Sequence, residues 1–142
     1  MRLKKKILLN KFDFFYHNMH IQSNSKKIIN KKLYRYNKKD LTNKFEDLII
    51  NGNDIIQSST VLRKKLIEKV GYISEKKNLI AWEDFDLWLR ISKITNKFCL
   101  IDKCLGKYFI SDDKKIKHER FLKNIKSFNQ KFRKENKKIM KR

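Results

Sequence analysis

The centre of the sequence reads Ala81-Trp82-Glu83-Asp84-Phe85-Asp86-Leu87-Trp88-Leu89-Arg90, and this stretch decides the fold. Its apolar residues recur at near-helical intervals, so we predict a largely buried helix from about residue 82 to 95. Three carboxylates, those of Glu83, Asp84 and Asp86, open this otherwise apolar helix. The dipole and the free N–H groups of a helix N-terminus favour negative charge, which explains one or two of these acids by structure alone.

Two tryptophans, Trp82 and Trp88, flank the carboxylates. Desolvation beside such rings disfavours a charge unless the charge has a partner or a chemical task. A carboxylate at the mouth of an apolar pocket is suited to general-base chemistry, in which it takes a proton from a hydroxyl nucleophile. The spacing alone leaves the structural and the catalytic interpretation open.

On the N-terminal side, the aromatic stretch from Phe12 to Ile21 predicts a strand that is mostly buried at its start. Residues 22 to 40 are rich in Lys and Asn and predict a loop or an irregular hairpin. Residues 41 to 50 predict a short helix, with Asp40 as its N-cap and Asn51-Gly52-Asn53 as its stop.

The stretch from Asp54 to Arg63 is rich in β-branched residues and predicts another strand. A helix over residues 64 to 70 follows, and Gly71 stands where a left-handed residue would end it. Beyond the central helix, residues 97 to 102 and 105 to 110 predict two short strands joined by a turn.

Residues 111 to 142 predict a basic, amphipathic helical tail. Its apolar stripe consists of Phe121, Ile125, Phe128 and Phe132, with Lys and Arg elsewhere. Two arrangements fit such a helix, because it can pack on the rest of the domain or lie on an anionic membrane surface.

The composition is strongly basic, with 37 Lys+Arg against 15 Asp+Glu and a net charge of +22. Nucleic acid, an anionic membrane and phosphorylated substrates would all be attracted by this charge. The lysines are spread along the chain among many Asn and Ile, so we do not favour nucleic acid as the partner. No apolar run is long enough for a membrane span or a signal peptide, and we expect a cytoplasmic chain, peripheral to the membrane at most.

Four segments carry a specific resemblance. They are Ser58-Ser59-Thr60-Val61-Leu62-Arg63-Lys64, Leu66-Ile67-Glu68-Lys69-Val70-Gly71-Tyr72-Ile73-Ser74-Glu75, Glu83-Asp84-Phe85-Asp86-Leu87-Trp88-Leu89-Arg90 and Leu105-Gly106-Lys107-Tyr108. In this order and spacing they resemble the second, acceptor-side half of a family 2 glycosyltransferase, and the resemblance covers roughly residues 12 to 110. It implies an α/β, partial GT-A-like fold: a mixed sheet with flanking helices that lacks the N-terminal nucleotide-binding strands, over residues 1–110.

The resemblance also implies a reaction, the transfer of a sugar from a nucleotide diphosphate to an acceptor hydroxyl with inversion. By position, Asp84 is the best candidate for the base that deprotonates the acceptor, and Glu83 is the second. Substrate-binding roles are implied for the following residues: Asp86, Trp88, Arg90, Ser58 and Ser59. Trp88 as core packing and Arg90 as an i, i+4 ion-pair partner of Asp86 are the simpler explanations, and for Arg90 we favour the ion pair.

The sequence also departs from the family pattern. The family binds a divalent metal, Mg or Mn, through an Asp-x-Asp loop in its N-terminal portion, and this sequence begins after that region. Asp112-Asp113 is no substitute, because it lies beyond the closing strand. His118 is more simply an exposed histidine at a helix start than a metal ligand. His17 and His20 point to opposite faces of a strand, and Cys99 and Cys104 indicate neither zinc nor a disulfide framework.

Two functional classes therefore stay open. The first is part of an enzyme that acts on a nucleotide-sugar donor and a glycan or lipid-linked acceptor, and that needs a separate N-terminal half for activity. The second is a non-catalytic remnant, or a basic module that binds nucleic acid or an anionic membrane.

Overall fold

The computed structural model describes residues 11–23, 28–29, 42–110, 124–126, 128, 130–132, 134–135 and 137–139. Over these residues the chain is an α/β fold with one mixed sheet and flanking helices. The sheet contains β1 (Phe14–Ser23), β2 (Ile28–Ile29), β3 (Thr60–Leu62) and β4 (Phe98–Ile110). The helices are α1 (Lys44–Asn51), α2 (Lys64–Val70) and α3 (Glu83–Ser92).

Strand β1 is the centre of the sheet. Strand β4 runs parallel to it along one edge, while β3 and β2 pair antiparallel with the start and the end of the other edge. Three successive aromatic residues of β1, Phe14, Phe15 and Tyr16, are buried, so both faces of the sheet are covered there. The predicted strand over residues 12 to 21 is confirmed, and most of the predicted loop over residues 22 to 40 lies outside the described residues.

The predicted pair of strands at 97–102 and 105–110 is wrong, because β4 is continuous. Its register against β1 shifts on either side of Asn18, which faces Cys104 although the preceding pair is His17 with Ile101. The polar residues that suggested a turn therefore belong to an irregularity like a β-bulge, in which β4 has more residues than the facing part of its parallel partner β1. The side-chain amide of Asn18 donates a hydrogen bond of 2.8 Å to Asp102 there.

Helix α1 begins later than predicted. Its N-cap is Asn43, whose side-chain oxygen accepts a hydrogen bond of 3.1 Å from the backbone N–H of Glu46, and Asp40 lies outside the described residues. The helix ends at Gly52, which has a positive φ of 80°. The predicted stop is thus confirmed.

The strand predicted over residues 54 to 63 is mostly wrong, since only Thr60–Leu62 is strand and Gln57–Ser59 forms a 3-10 turn. Polar side chains explain the difference, because they bond to the local backbone and compete with a sheet ladder. Asn53 accepts from the N–H of Ile55, and Ser59 donates to the carbonyl of Ile56. Helix α2 and its end at Gly71, with a φ of 81°, are as predicted.

Helix α3 supplies the centre of the core, as its pattern predicted. Trp88 is buried against Phe14, with ring centroids 4.9 Å apart in an edge-to-face arrangement. The described residues between 124 and 139 are helical, and we call them the C-terminal helical residues. Among them Phe128 stacks on Phe85 with ring centroids 5.3 Å apart, and Phe132 is buried. This part of the apolar stripe therefore packs on the domain, whereas Phe121 lies outside the described residues.

Within the described ranges, no helix is both long enough and apolar enough to cross a membrane.

Candidate functional site

The start of α3 is held by an unusual backbone turn. Ala81 has a φ of 67°, the left-handed region that a residue with a Cβ rarely adopts. Trp82 occupies the N-cap position without a side-chain capping bond, and its N–H donates to the carbonyl of Leu79. This turn brings Glu83 and Asp84 into the first turn of α3, beside a surface cavity. Such strain is frequent at functional sites.

The cavity has a volume of about 560 Å³ and lies between three parts of the chain. One side is the segment between α1 and β3, the second is the start of α3, and the third is Tyr108 on β4. Its described lining residues are Asn53, Asp54, Ile55, Ile56, Gln57, Ser58, Ala81, Glu83, Asp84 and Tyr108. A partly apolar cavity with a few convergent polar groups is the usual form of a small-molecule site.

Asp84 is the most perturbed acid at this cavity. Burial raises the pKa of its carboxyl from 3.8 to about 6, and the negative charge of Glu83 adds to the rise. Hydrogen bonds to the carboxylate from the backbone N–H of Phe85, at 2.6 Å, and from the side chain of Asn53 limit the shift. Near neutral pH the group is ionised, yet it holds a proton far better than an ordinary aspartate, as a general base requires.

Glu83 lies next to Asp84 and has an unusual environment. Its Oε2 atom is buried and has no hydrogen-bond partner within the part of the chain that the structure describes. A buried carboxylate oxygen without a donor is energetically costly and is rare in folded proteins.

A second polar group is connected to the cavity through Asp54 and is centred on Lys44. Its Nζ is 2.7 Å from Asp47, 3.8 Å from the cavity residue Asp54 and 3.5 Å from the hydroxyl of Tyr16. Burial works against the charge of Lys44, but Asp54, Tyr16 and Asp47 outweigh it and raise its pKa. No pattern in the sequence indicated this group, because its members come from β1, α1 and the following loop.

Among the predicted site residues, Glu83, Asp84 and Ser58 line the cavity, while Asp86, Trp88, Arg90 and Ser59 do not. Asp86 is buried; one of its oxygens accepts from Arg90 Nε at 2.9 Å and the other contacts Lys131 among the C-terminal helical residues. The expected Arg90–Asp86 ion pair is therefore present.

The other predicted residues make structural contacts. The guanidinium of Arg90 also donates to the carbonyls of Val70, Gly71 and Tyr72 at 2.6 to 2.9 Å, so it caps the end of α2. Trp88 Nε1 donates to the carbonyl of Ile55 at 3.2 Å, and Ser59 is buried. These contacts give the residues structural roles that need no ligand. Their substrate-binding roles stay predictions.

The described residues do not fit a divalent metal. Asp84-Phe85-Asp86 reads Asp-x-Asp, but in a helix the first and third residues are about 200° apart around the axis. Asp86 is moreover engaged by two cations. No group of three His, Cys, Asp or Glu side chains among the described residues is arranged to hold an ion. His118 and Asp112-Asp113 lie outside those residues.

Comparison with known proteins gives no identification. No family model matches the chain, and no curated protein or solved structure matches it.

Proposed function

We propose that residues 1–110 form the acceptor-side part of an inverting, nucleotide-sugar-dependent glycosyltransferase with a partial GT-A-like fold. The order of the four sequence segments supports this proposal. The α/β fold with its mixed sheet also supports it. So does the position of Glu83 and Asp84, at the start of a buried helix and beside a cavity. The single observation that carries it is Asp84, a carboxyl with its pKa raised to about 6 on the wall of that cavity.

In the proposed reaction, an acceptor hydroxyl enters the cavity and gives its proton to the Asp84 carboxylate. The oxygen then forms a bond to the anomeric carbon of the donor from the face opposite the diphosphate. The carbon–oxygen bond to the diphosphate breaks, and the nucleoside diphosphate leaves with the electron pair. The role of this chain is to bind the acceptor and to hold the base at the attacking oxygen.

The leaving diphosphate needs positive charge from a metal ion or a cluster of cations. No residue that lines the described part of the cavity is Lys or Arg. The family resemblance implies donor binding and a divalent metal in an N-terminal portion, and we propose that a separate N-terminal half supplies both. The 142 residues alone are expected to be inactive.

The test begins with the DNA upstream of Met1, read in all frames for nucleotide-binding strands and an Asp-x-Asp loop. The encoded half is then produced with the full chain, and transfer from nucleotide sugars is measured. Transfer is expected only with both halves, and Asp84→Asn should abolish it while donor binding stays nearly intact. Turnover by the 142-residue chain alone, or full transfer by Asp84→Asn, would overturn the proposal. Glu68→Gln, an exposed acid on α2, is the matched control.

A second function is favoured by a different observation, the net charge of +22. A basic module would bind nucleic acid or anionic membranes mainly through charge, so its affinity would fall steeply with salt. Binding of the full chain to duplex DNA and to phosphatidylserine vesicles, measured at 50 and 200 mM salt, tests this alternative. Tight binding that survives Asp84→Asn, with no transfer in any combination, would favour it over the enzyme.

A further inference from the structure

The cavity beside Asp84 differs in charge from the rest of the chain. The chain carries a net charge of +22, yet the described residues that line this cavity include three carboxylates and no Lys or Arg. The local field inside the cavity is therefore opposite in sign to the field of the whole chain.

Glu83 and Asp84 are the two carboxylates that matter most here. They are adjacent at the start of α3 and both line the cavity, and the negative charge of Glu83 acts on Asp84. Asp54 also lines the cavity, but the ammonium of Lys44, which pairs with Asp47 as well, lies 3.8 Å from it and offsets its charge.

The remaining walls suit a polyhydroxylated molecule. Tyr108 is 40% exposed and offers an aromatic ring to the cavity from β4. The C–H face of a sugar ring can lie on such a surface, while its hydroxyl groups donate to carboxylates and exchange hydrogen bonds with the amides of Asn53 and Gln57.

We infer that the cavity selects its acceptor by charge: it binds an amino sugar more tightly than a neutral sugar, and a neutral sugar more tightly than a sugar acid. This inference rests on the proposed function, because it names the acceptor class of the same site. A single ligand charge about 6 Å from the two carboxylates, in a cavity open to water, changes the dissociation constant by roughly three- to tenfold. The same factor is expected between sugar acid and neutral sugar and between neutral sugar and amino sugar.

Three probes with one carbon skeleton test the ranking: glucosamine, glucose and glucuronate. Their dissociation constants are measured by ligand-observed NMR with the full chain at 0.15 M salt. Surface charges more than about 8 Å away are then largely screened. Only binding that Tyr108→Ala removes is assigned to the cavity. Tyr72→Ala is the matched control, since Tyr72 is 69% exposed and does not line the cavity.

The expected order is glucosamine, then glucose, then glucuronate, unchanged by Tyr72→Ala. Glu83→Gln removes one of the two charges and should narrow the gap between glucose and glucuronate several-fold. Glucuronate binding as tightly as glucose in a Tyr108-dependent way would overturn the inference, and so would the absence of Tyr108-dependent binding for all three. The proposed base is tested separately, because loss of transfer in Asp84→Asn does not depend on this ranking.

Discussion

The indole Nε1 of Trp88 donates a hydrogen bond of 3.2 Å to the backbone carbonyl of Ile55. Trp88 is buried on α3, whereas Ile55 belongs to the irregular segment that forms one wall of the cavity. This bond therefore fixes that wall against the helix that carries Glu83 and Asp84. The packing of the core residue Trp88 therefore also positions the candidate site.

Trp88→Phe should destabilise the fold by about 1–3 kcal/mol, because it leaves the buried carbonyl of Ile55 without its donor and removes part of a packed ring. Urea unfolding measures the change. Trp82→Phe is the control: the ring of Trp82 packs against Phe85 and Phe128 from a less buried position, so a smaller loss is expected. Equal losses would show that ring volume, and not the hydrogen bond, explains the effect.

Asp84→Asn should stabilise the protein at pH 8 and change little at pH 4. Burial raises the pKa of Asp84 from 3.8 to about 6, so between these values the folded chain keeps a proton that the unfolded chain releases. The stabilisation from this group is complete below pH 3.8 and is lost as the pH rises through about 6. The neutral amide of the variant does not ionise, so its free energy of unfolding does not fall by this amount, about 1–3 kcal/mol. Denaturant unfolding at pH 4, 6 and 8 measures it, and a difference that does not vary with pH would contradict the raised pKa.

Arg90→Lys should lower the free energy of unfolding by about 1–3 kcal/mol, because backbone carbonyls lose their donors. Lysine keeps a charge for Asp86, but it lacks the planar fork that reaches the carbonyls of Val70, Gly71 and Tyr72 at the end of α2. The exposed lysine of the Lys64–Glu68 pair provides a control, since Lys64→Gln breaks a surface ion pair and should change stability by less than about 0.5 kcal/mol. Similar effects of the two variants would argue against the capping role of Arg90.

The purified chain is expected to self-associate through the sheet. Strand β4 pairs with β1 along one edge, and among the described residues nothing pairs with its other edge. Two apolar side chains of this strand are exposed, Leu105 at 59% and Phe109 at 65%. Leu105→Lys and Phe109→Lys should raise the monomer fraction in sedimentation velocity, because charge on an edge strand opposes pairing. Ile80→Lys is the control, since Ile80 is exposed to a similar extent but lies outside the strands. A monodisperse, cooperatively melting monomer of the unaltered chain would rule this expectation out.

The parts of the fold that were predicted correctly have strong local patterns. Helix α3 has a long apolar period, α2 ends at a glycine with a positive φ, and β1 is an aromatic run. The errors fall where local patterns are ambiguous. The polar break in β4 resembles a turn until its parallel partner is known, and the β-branched segment after Asp54 bonds mostly to itself.

The sequence by itself determined that an apolar helix begins with Glu83 and Asp84, because helical periodicity and the acid block are local properties. Only the tertiary structure decided that Glu83 and Asp84 stand beside a cavity, whereas Asp86 pairs with Arg90 and holds the fold. It also brought Tyr108 and Asn53 to the same cavity as the carboxylates, from positions more than 20 residues away in the chain. The physical reason is that burial, and with it the raised pKa of Asp84, arises from packing between distant segments and has no local pattern.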